Sequence, residues 1–267
     1  MLFFQTVTGT LTLGEKTIPL KFAYAFERTN DEALPPKTGL CLLLTDQAVP
    51  LEALEGTFGL YPLHQDGKLA AVEFQLDQKD AAQNFRGHLF PTLPQTPGSF
   101  FVQGKKYFSE LKLTGGVIEG KVASEEEEAP APGGEPLHYR YEATFRAPIR
   151  KAPAVTKIVQ GKLAQTHAFV PVISRYFAAM RKGDYPAMQK LVSRSTLAAW
   201  VRLEKRMGAA EYRKQLAAFG KMMEFNPKTI THIVLRGDQA TVVSKVKGGK
   251  DIAALRREDG IWKLHVP

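Results

Sequence analysis

The spacing of apolar residues changes twice along this chain, and those changes restrict the possible folds more than any single motif does. Up to about residue 146 apolar side chains recur at every second position or in short unbroken runs, separated by Gly, Pro, Asn and Asp. This is the pattern of strands and turns. From Phe169 they recur every three or four positions, as on one face of a helix. After "FNP" at 225–227 the period of two returns. The chain therefore divides into a β-rich part, a helical part and a second set of strands, and its 267 residues suffice for two domains with separate cores.

In "GTLTLGEKTIPLKFAYAFE" two strands flank a Gly-Glu turn, with Phe22, Tyr24 and Phe26 on one face and Ala23 and Ala25 on the other. Further strands are expected at 39–45, 68–76, 100–104, 107–113, 116–123 and 138–146. So many short strands predict an all-β antiparallel sandwich or partly open barrel over residues 1–150. The segment "SEEEEAPAPGGEP" at 124–136 lies between two alternating stretches and reads as a mobile hairpin tip, because its like charges repel and Pro and Gly deny it regular structure. It lacks the alternating oxygen ligands of a calcium loop.

"APIRKAPAVTKI" at 147–158 marks the first change of period, placing a linker at 151–164 and a second domain at 165–267. There Phe169, Val172, Ile173, Tyr176, Phe177 and Met180 form one buried stripe. Gly183 ends that helix, and Asp184 caps the next, with Pro186 in its first turn. A longer helical region is expected over 195–223 with a weak point at Gly208, then strands in "TITHIVLRG", "QATVVSKVKG", "DIAALRRE" and "IWKLHV". The expected class is α+β overall, the second domain having helices first and a curved antiparallel meander after them.

Charge separates the halves as well. Residues 1–150 carry 14 Lys and Arg against 19 Asp and Glu, a net of −5, whereas 151–267 carry 22 against 8, a net of +14. The second half thus has the field to attract an anionic partner. No run approaches the ~20 apolar residues that span a bilayer, so no integral membrane segment is expected. The opening "MLFFQTVTG" lacks the basic start and extended apolar stretch of an intact secretion signal. Cys41 is the only cysteine, which excludes an internal disulfide and a thiolate-rich metal site; in "GLCLLLTD" it reads as a buried small hydrophobe.

Three segments of the second half, "YFAAMRKGDYPAM" (Tyr176, Phe177, Gly183, Asp184, Tyr185), "VLRGDQATV" (Gly237, Asp238, Ala240, Val242) and "EDGIWKL" (Asp259, Gly260, Trp262, Lys263, Leu264), occur in an order that resembles the NTF2-like (cystatin-like cone) superfamily. The resemblance is to its small bacterial export-associated domains and covers residues 165–267. It implies a bent sheet wrapped around helices, a conical cavity between them, and a bacterial protein exported to the periplasm or cell surface, its signal absent from this chain; cytoplasmic residence is the alternative. The first half is faintly similar to β-rich domains of exported bacterial proteins, with no diagnostic motif.

Enzymes on such a cone need a carboxylate or imidazole inside the apolar pocket. The acids of the second half read otherwise: Asp184 as a cap, Asp238, Asp251, Glu258 and Asp259 as turn residues, Glu204, Glu211 and Glu224 as exposed helix positions. His232 is the candidate that remains, since in "THIVL" it shares a strand face with Ile230 and Val234. It is read as a core or rim histidine, or else as a general base with Tyr176 or Tyr212 as hydrogen-bond donor. His265 reads as solvated. There is no HExxH, no close His pair, no GxSxG, no Walker A and no GxGxxG, so no metal and no cofactor are expected.

The sequence thus favours a non-enzymatic binding or protein-interaction module with an apolar ligand cavity lined by Phe169, Ile173, Tyr176, Phe177, Trp200, Phe219, His232 and Trp262. Its partner would be a small apolar ligand or a protein. Two alternatives stand beside it. One is a small-molecule enzyme using His232 as base; the other is a polyanion or anionic-surface binder using Arg202, Arg206, Arg213, Lys245, Lys247, Arg256, Arg257 and Lys263.

Overall fold

The computed structural model describes residues 6–54, 60, 63, 67–76, 85–90, 100–103, 108–129, 136–223 and 225–266. Its contacts divide the chain into two units, Met1–Asn30 with Thr38–Ala152, and Asp31–Lys37 with Pro153–Pro267.

In the first unit the axis is one long strand, β11 (Leu137–Arg150), whose Tyr139, Tyr141, Ala143, Phe145 and Ala147 point inward at every second position. Strand β1 (Thr6–Leu13) pairs antiparallel along one edge from Leu13↔Tyr139 to Thr6↔Arg146, and β2 (Lys16–Leu20) extends it as a hairpin. The other edge takes β9 (Val117–Ala123), which carries β8 (Phe108–Thr114), and also β10 (Glu127–Ala129). Beyond β1, Ile149 and Arg150 pair in parallel with Ala25 and Phe26 of β3 (Phe22–Asn30). From there the sheet continues through β4 (Lys37–Thr45), β5 (Ala71–Leu76), β6 (Phe85–Phe90) and β7 (Phe100–Gln103).

This corrects the expected sandwich or partly open barrel. The described strands of the unit form one open, 11-stranded sheet, branched at β11 and containing a parallel pairing. Alternation shows which face of a strand is buried but not how many partners it has, and β11 is long enough to take several. The acidic segment 124–136 also differs from expectation where it is described: Glu127–Ala129 pairs with β11, and the Tyr139 hydroxyl donates to Glu127 Oε2 at 2.5 Å. Residues 130–135 of that expected tip lie outside the described residues.

The continuous apolar run of β4 follows from burial on both faces. Leu40, Leu42 and Leu44 join Leu11, Val72, Phe74, Ile118, Tyr141 and Phe145 in one core, while Cys41 and Leu43 join Tyr24, Phe26, Val49 and Leu69 in another. Burial pushes the Cys41 thiol up to about 12. Beside it, Arg28 and Glu73 form a two-pronged pair at 2.6 and 2.9 Å. Phe74 centres the first core, 5.0 Å from Phe108 and 5.5 Å from Tyr141, edge to face.

In the second unit β12 (Lys157–Gln160) and helix α1 (Gly161–Gln165) come first, within the stretch expected as a linker. Helices α2 (Phe169–Lys182), α3 (Tyr185–Leu191), α4 (Arg194–Met207) and α5 (Ala209–Met222) follow. The strands β13 (Ile230–Arg236), β14 (Gln239–Val246), β15 (Gly249–Glu258) and β16 (Ile261–Leu264) then form a meander, with β12 on the free edge of β13. The expected class, a sandwich or barrel followed by a cone of helices and then sheet, is therefore replaced by two open sheets, the second begun before its helices. Local signals hold: Gly183 has φ 67° and Asp184 Oδ1 accepts from Ala187 N at 3.1 Å. Gly208, at φ 84°, splits the expected long helix into α4 and α5.

Helices α2 and α5 cross where Gly220 meets Met180. A Cβ at 220 would sit 2.8 Å from the Met180 carbonyl oxygen, which is backbone and cannot swing away. Alanine is the better helix former by about 1 kcal/mol, but overpacking of this kind costs about 1–3 kcal/mol. Gly220→Ala is therefore expected to lower stability despite its helix propensity, a sign that urea denaturation checks directly.

Candidate functional site

Two groups of side chains in the second unit have the burial and polarity of a binding site, one on each face of its sheet. On the helix face, Phe169, Ile173, Tyr176 and Trp200 share one core with Tyr185 and Tyr212, and Phe177 and Trp262 pack at its margin. The rings are in contact: Phe169 lies 4.8 Å from Trp262, Tyr185 5.7 Å from Trp200, and Tyr185 6.2 Å from Tyr212. Phe219 does not join them and is 47% exposed. The inward stripe of α5 is Tyr212, Leu216 and Gly220, and Phe219 falls at its edge.

Burial pushes the Tyr176 hydroxyl up to about 12. Tyr212 is raised by burial first and then by Tyr185, Tyr176 and Glu204, and Tyr185 by burial and Glu204. The three hydroxyls and the Glu204 carboxylate thus converge. Arg213 closes this end, its guanidinium 4.9 Å above the Tyr185 ring and its Nε 3.3 Å from Glu204 Oε1. The Tyr185 hydroxyl is sealed from solvent yet has no hydrogen-bond partner among the described residues, although the Gln189 and Glu204 side chains lie alongside.

The opposite face holds His232. A bulge separates Ile230, opposite Ser244, from His232, opposite Val243, so one extra residue on β13 turns the two side chains to different faces. Ile230 enters the helix-side core and His232 does not, contrary to the expected face shared by the two, whereas Val234 lies on the face of His232 as expected. His232, 1% exposed, meets Asp31 of the β3–β4 connection. A carbonyl only accepts, so His232 Nε2 carries the proton and donates to Asp31 O at 2.7 Å, while Nδ1 lies 2.9 Å from the Thr231 hydroxyl. Around the same residue, Arg236 Nη2 donates to Asp31 Oδ1 and Thr241 Oγ1 to Oδ2, both at 2.7 Å. Arg236 Nη1 donates to Pro153 O at 2.8 Å. Both imidazole nitrogens are thus engaged by protein groups, and Nε2 holds the main chain at Asp31.

Sequence reasoning sought an acid only in the second half and missed Asp31, which comes from 201 positions before His232. The one available signal was "NDEALPP", a turn sequence with two acids in a chain whose other half is basic. His265, expected to be solvated, has Nδ1 3.0 Å from Ser193 Oγ and 3.2 Å from Ser195 Oγ. The Ser193 contact is no nucleophile–base pair, since Ser193 is fully buried and its hydroxyl caps α4 by accepting from Thr196 N.

The basic residues divide between the helices and the second sheet. Arg202 and Arg206 are exposed on α4, and Lys245 and Lys247 at the β14–β15 turn. Arg256 and Lys263 oppose each other across β15 and β16. Arg257 pairs with Asp238 at 2.6 Å. Among the described residues no group of three or more His, Cys, Asp and Glu could hold a metal ion, and no helix is long and apolar enough to cross a membrane. No family model matches the chain, and neither a curated protein nor a solved structure matches it.

Proposed function

We propose that this protein is a non-enzymatic binding module whose second unit holds a small ligand among α2, α3, α4 and α5. The supporting observation is the Tyr185 hydroxyl, buried within a group of aromatic rings beside Gln189 and Glu204 and without a hydrogen-bond partner of ordinary geometry among the described residues. An unmet buried polar group costs about 1–3 kcal/mol, and a ligand with an apolar body and one hydrogen-bonding group would supply the missing partner. Tyr176, Trp200 and Tyr212 would contact its apolar part, and Glu204 and Arg213 would set its polar end. The likeness to the NTF2-like superfamily, and the export that goes with it, belong to this proposal and rest on the three sequence segments alone.

The test is native mass spectrometry of the purified chain together with Tyr185→Phe. The wild type is expected to carry a noncovalent small-molecule mass that the variant loses, while the ligand-free variant gains about 1–3 kcal/mol over the ligand-free wild type because the orphaned hydroxyl is gone. A wild type without bound mass, combined with a destabilised variant, would assign that hydroxyl a structural role and end this reading.

A further inference from the structure

We propose that the outer face of the second sheet is a carboxylate-binding site which the chain fills with its own Asp31, and which accepts an exogenous carboxylate, from an acidic peptide segment or a free small acid, when that residue is withdrawn. The donors stand on strands, where their positions are rigid. Val234 and Thr241 are directly opposed, as are His232 and Val243, so His232, Arg236 and Thr241 project from the same face of β13 and β14. Together they read two features of one residue. His232 holds its main-chain carbonyl, while Arg236 and Thr241 take one oxygen each of its carboxylate. An aspartate in a non-helical segment is the residue that presents both.

Three observations make Asp31 a replaceable occupant. Arg236 is only 7% exposed, yet its Nε has no hydrogen-bond partner among the described residues. Nε and Nη2 lie on the same edge of a guanidinium, so Asp31 uses one of two parallel donors, and a carboxylate meeting that edge side-on would use both. The residues that carry Asp31 form turns and bends rather than ladder pairs, and Leu34 among them is 46% exposed. Segments held by a few side-chain contacts open at lower free energy than strands do. The surrounding face is cationic: Lys250 Nζ donates to Glu32 O, Lys245 stands opposite Lys250, and Arg256 stands opposite Lys263. This field favours an anionic ligand.

The experiment uses the full chain. Asp31→Ala keeps Cβ and removes one carboxylate, for which formate is the missing fragment. Its melting temperature is expected to rise in sodium formate relative to sodium chloride at equal ionic strength, with no such difference for wild type. In a second arm, a labelled heptapeptide with the sequence of residues 31–37 is titrated by fluorescence anisotropy. Apparent affinity falls with the fraction of sites already filled, so if Asp31 occupies the wild-type site more than about 90% of the time, the variant binds at least about tenfold more tightly. The same peptide with Asn in its first position, or Arg236→Gln in the Asp31→Ala background, should abolish that gain. Peptide binding identifies an acidic segment as the source, and formate rescue without it identifies a free small acid. If the Asp31→Ala variant shows no formate rescue and binds the peptide no more tightly than wild type, the proposal is overturned. If Asp31→Ala does not fold, Asp31→Asn keeps the side-chain shape and is read by the peptide arm on the same terms.

Discussion

Arg236→Ala is expected to lower the stability of the second unit by about 3–5 kcal/mol, the loss typical when one member of a buried ion pair is removed and its partner charge stays in place. The Asp31 and Arg236 side chains are only 4% and 7% exposed and 2.7 Å apart, so the abandoned carboxylate would not be rehydrated without moving the connection that carries it. Desolvation decides the magnitude. An exposed pair of the same geometry contributes about 0–1 kcal/mol, which is the expectation for Arg194 with Asp259, both mostly solvent-exposed. The asymmetry also predicts the double change. Asp31→Leu with Arg236→Met should cost much less than the two single changes summed, because no charge is then left buried. Both tryptophans of the chain, Trp200 and Trp262, lie in the second unit, so urea denaturation followed by tryptophan fluorescence reports on it. A loss below about 1 kcal/mol for Arg236→Ala would mean that water reaches the site freely.

Phe74→Ala is the corresponding experiment in the first unit, with an expected loss of about 3–5 kcal/mol. The side chain is fully buried and makes edge-to-face contacts with Phe108 of β8 and Tyr141 of β11, which belong to the same core. Removing the ring takes away its apolar burial and leaves a cavity that two rigid neighbours, each anchored in a strand, fill poorly. Far-UV circular dichroism in urea is the suitable readout, since the first unit contains no tryptophan. Phe74→Leu should recover much of the loss. If it does not, ring–ring geometry rather than volume is what the position supplies.

Much of the local structure was legible because its causes lie within a few residues. The Gly183–Asp184 junction follows from the left-handed conformation of one residue and the capping oxygen of the next. The break at Gly208 has the same kind of cause. The alternation in "LHYRYEATFRAP" gave the buried face of β11 directly, and the unbroken run around Cys41 matches a strand covered on both sides. Of the expected ligand residues, Phe169, Ile173 and Tyr176 share one core because helical periodicity places them on one stripe of α2, and Trp200 joins that core from α4. Phe219 shows the limit of that argument: periodicity finds a stripe but not its width, and its edge depends on how closely Gly220 lets α5 approach α2.

Composition, period and turn chemistry were enough to divide the chain into a strand-rich half and a basic half of helices and strands, because each of these acts over neighbouring residues and needs no partner from afar. The tertiary structure decided the rest. A one-residue bulge sent His232 to the outer face, β11 joined several neighbours into an open sheet, and Asp31 was delivered to a histidine and an arginine two hundred positions away. Which groups meet across such distances depends on the packing free energy of the whole unit, and no window of sequence contains that sum.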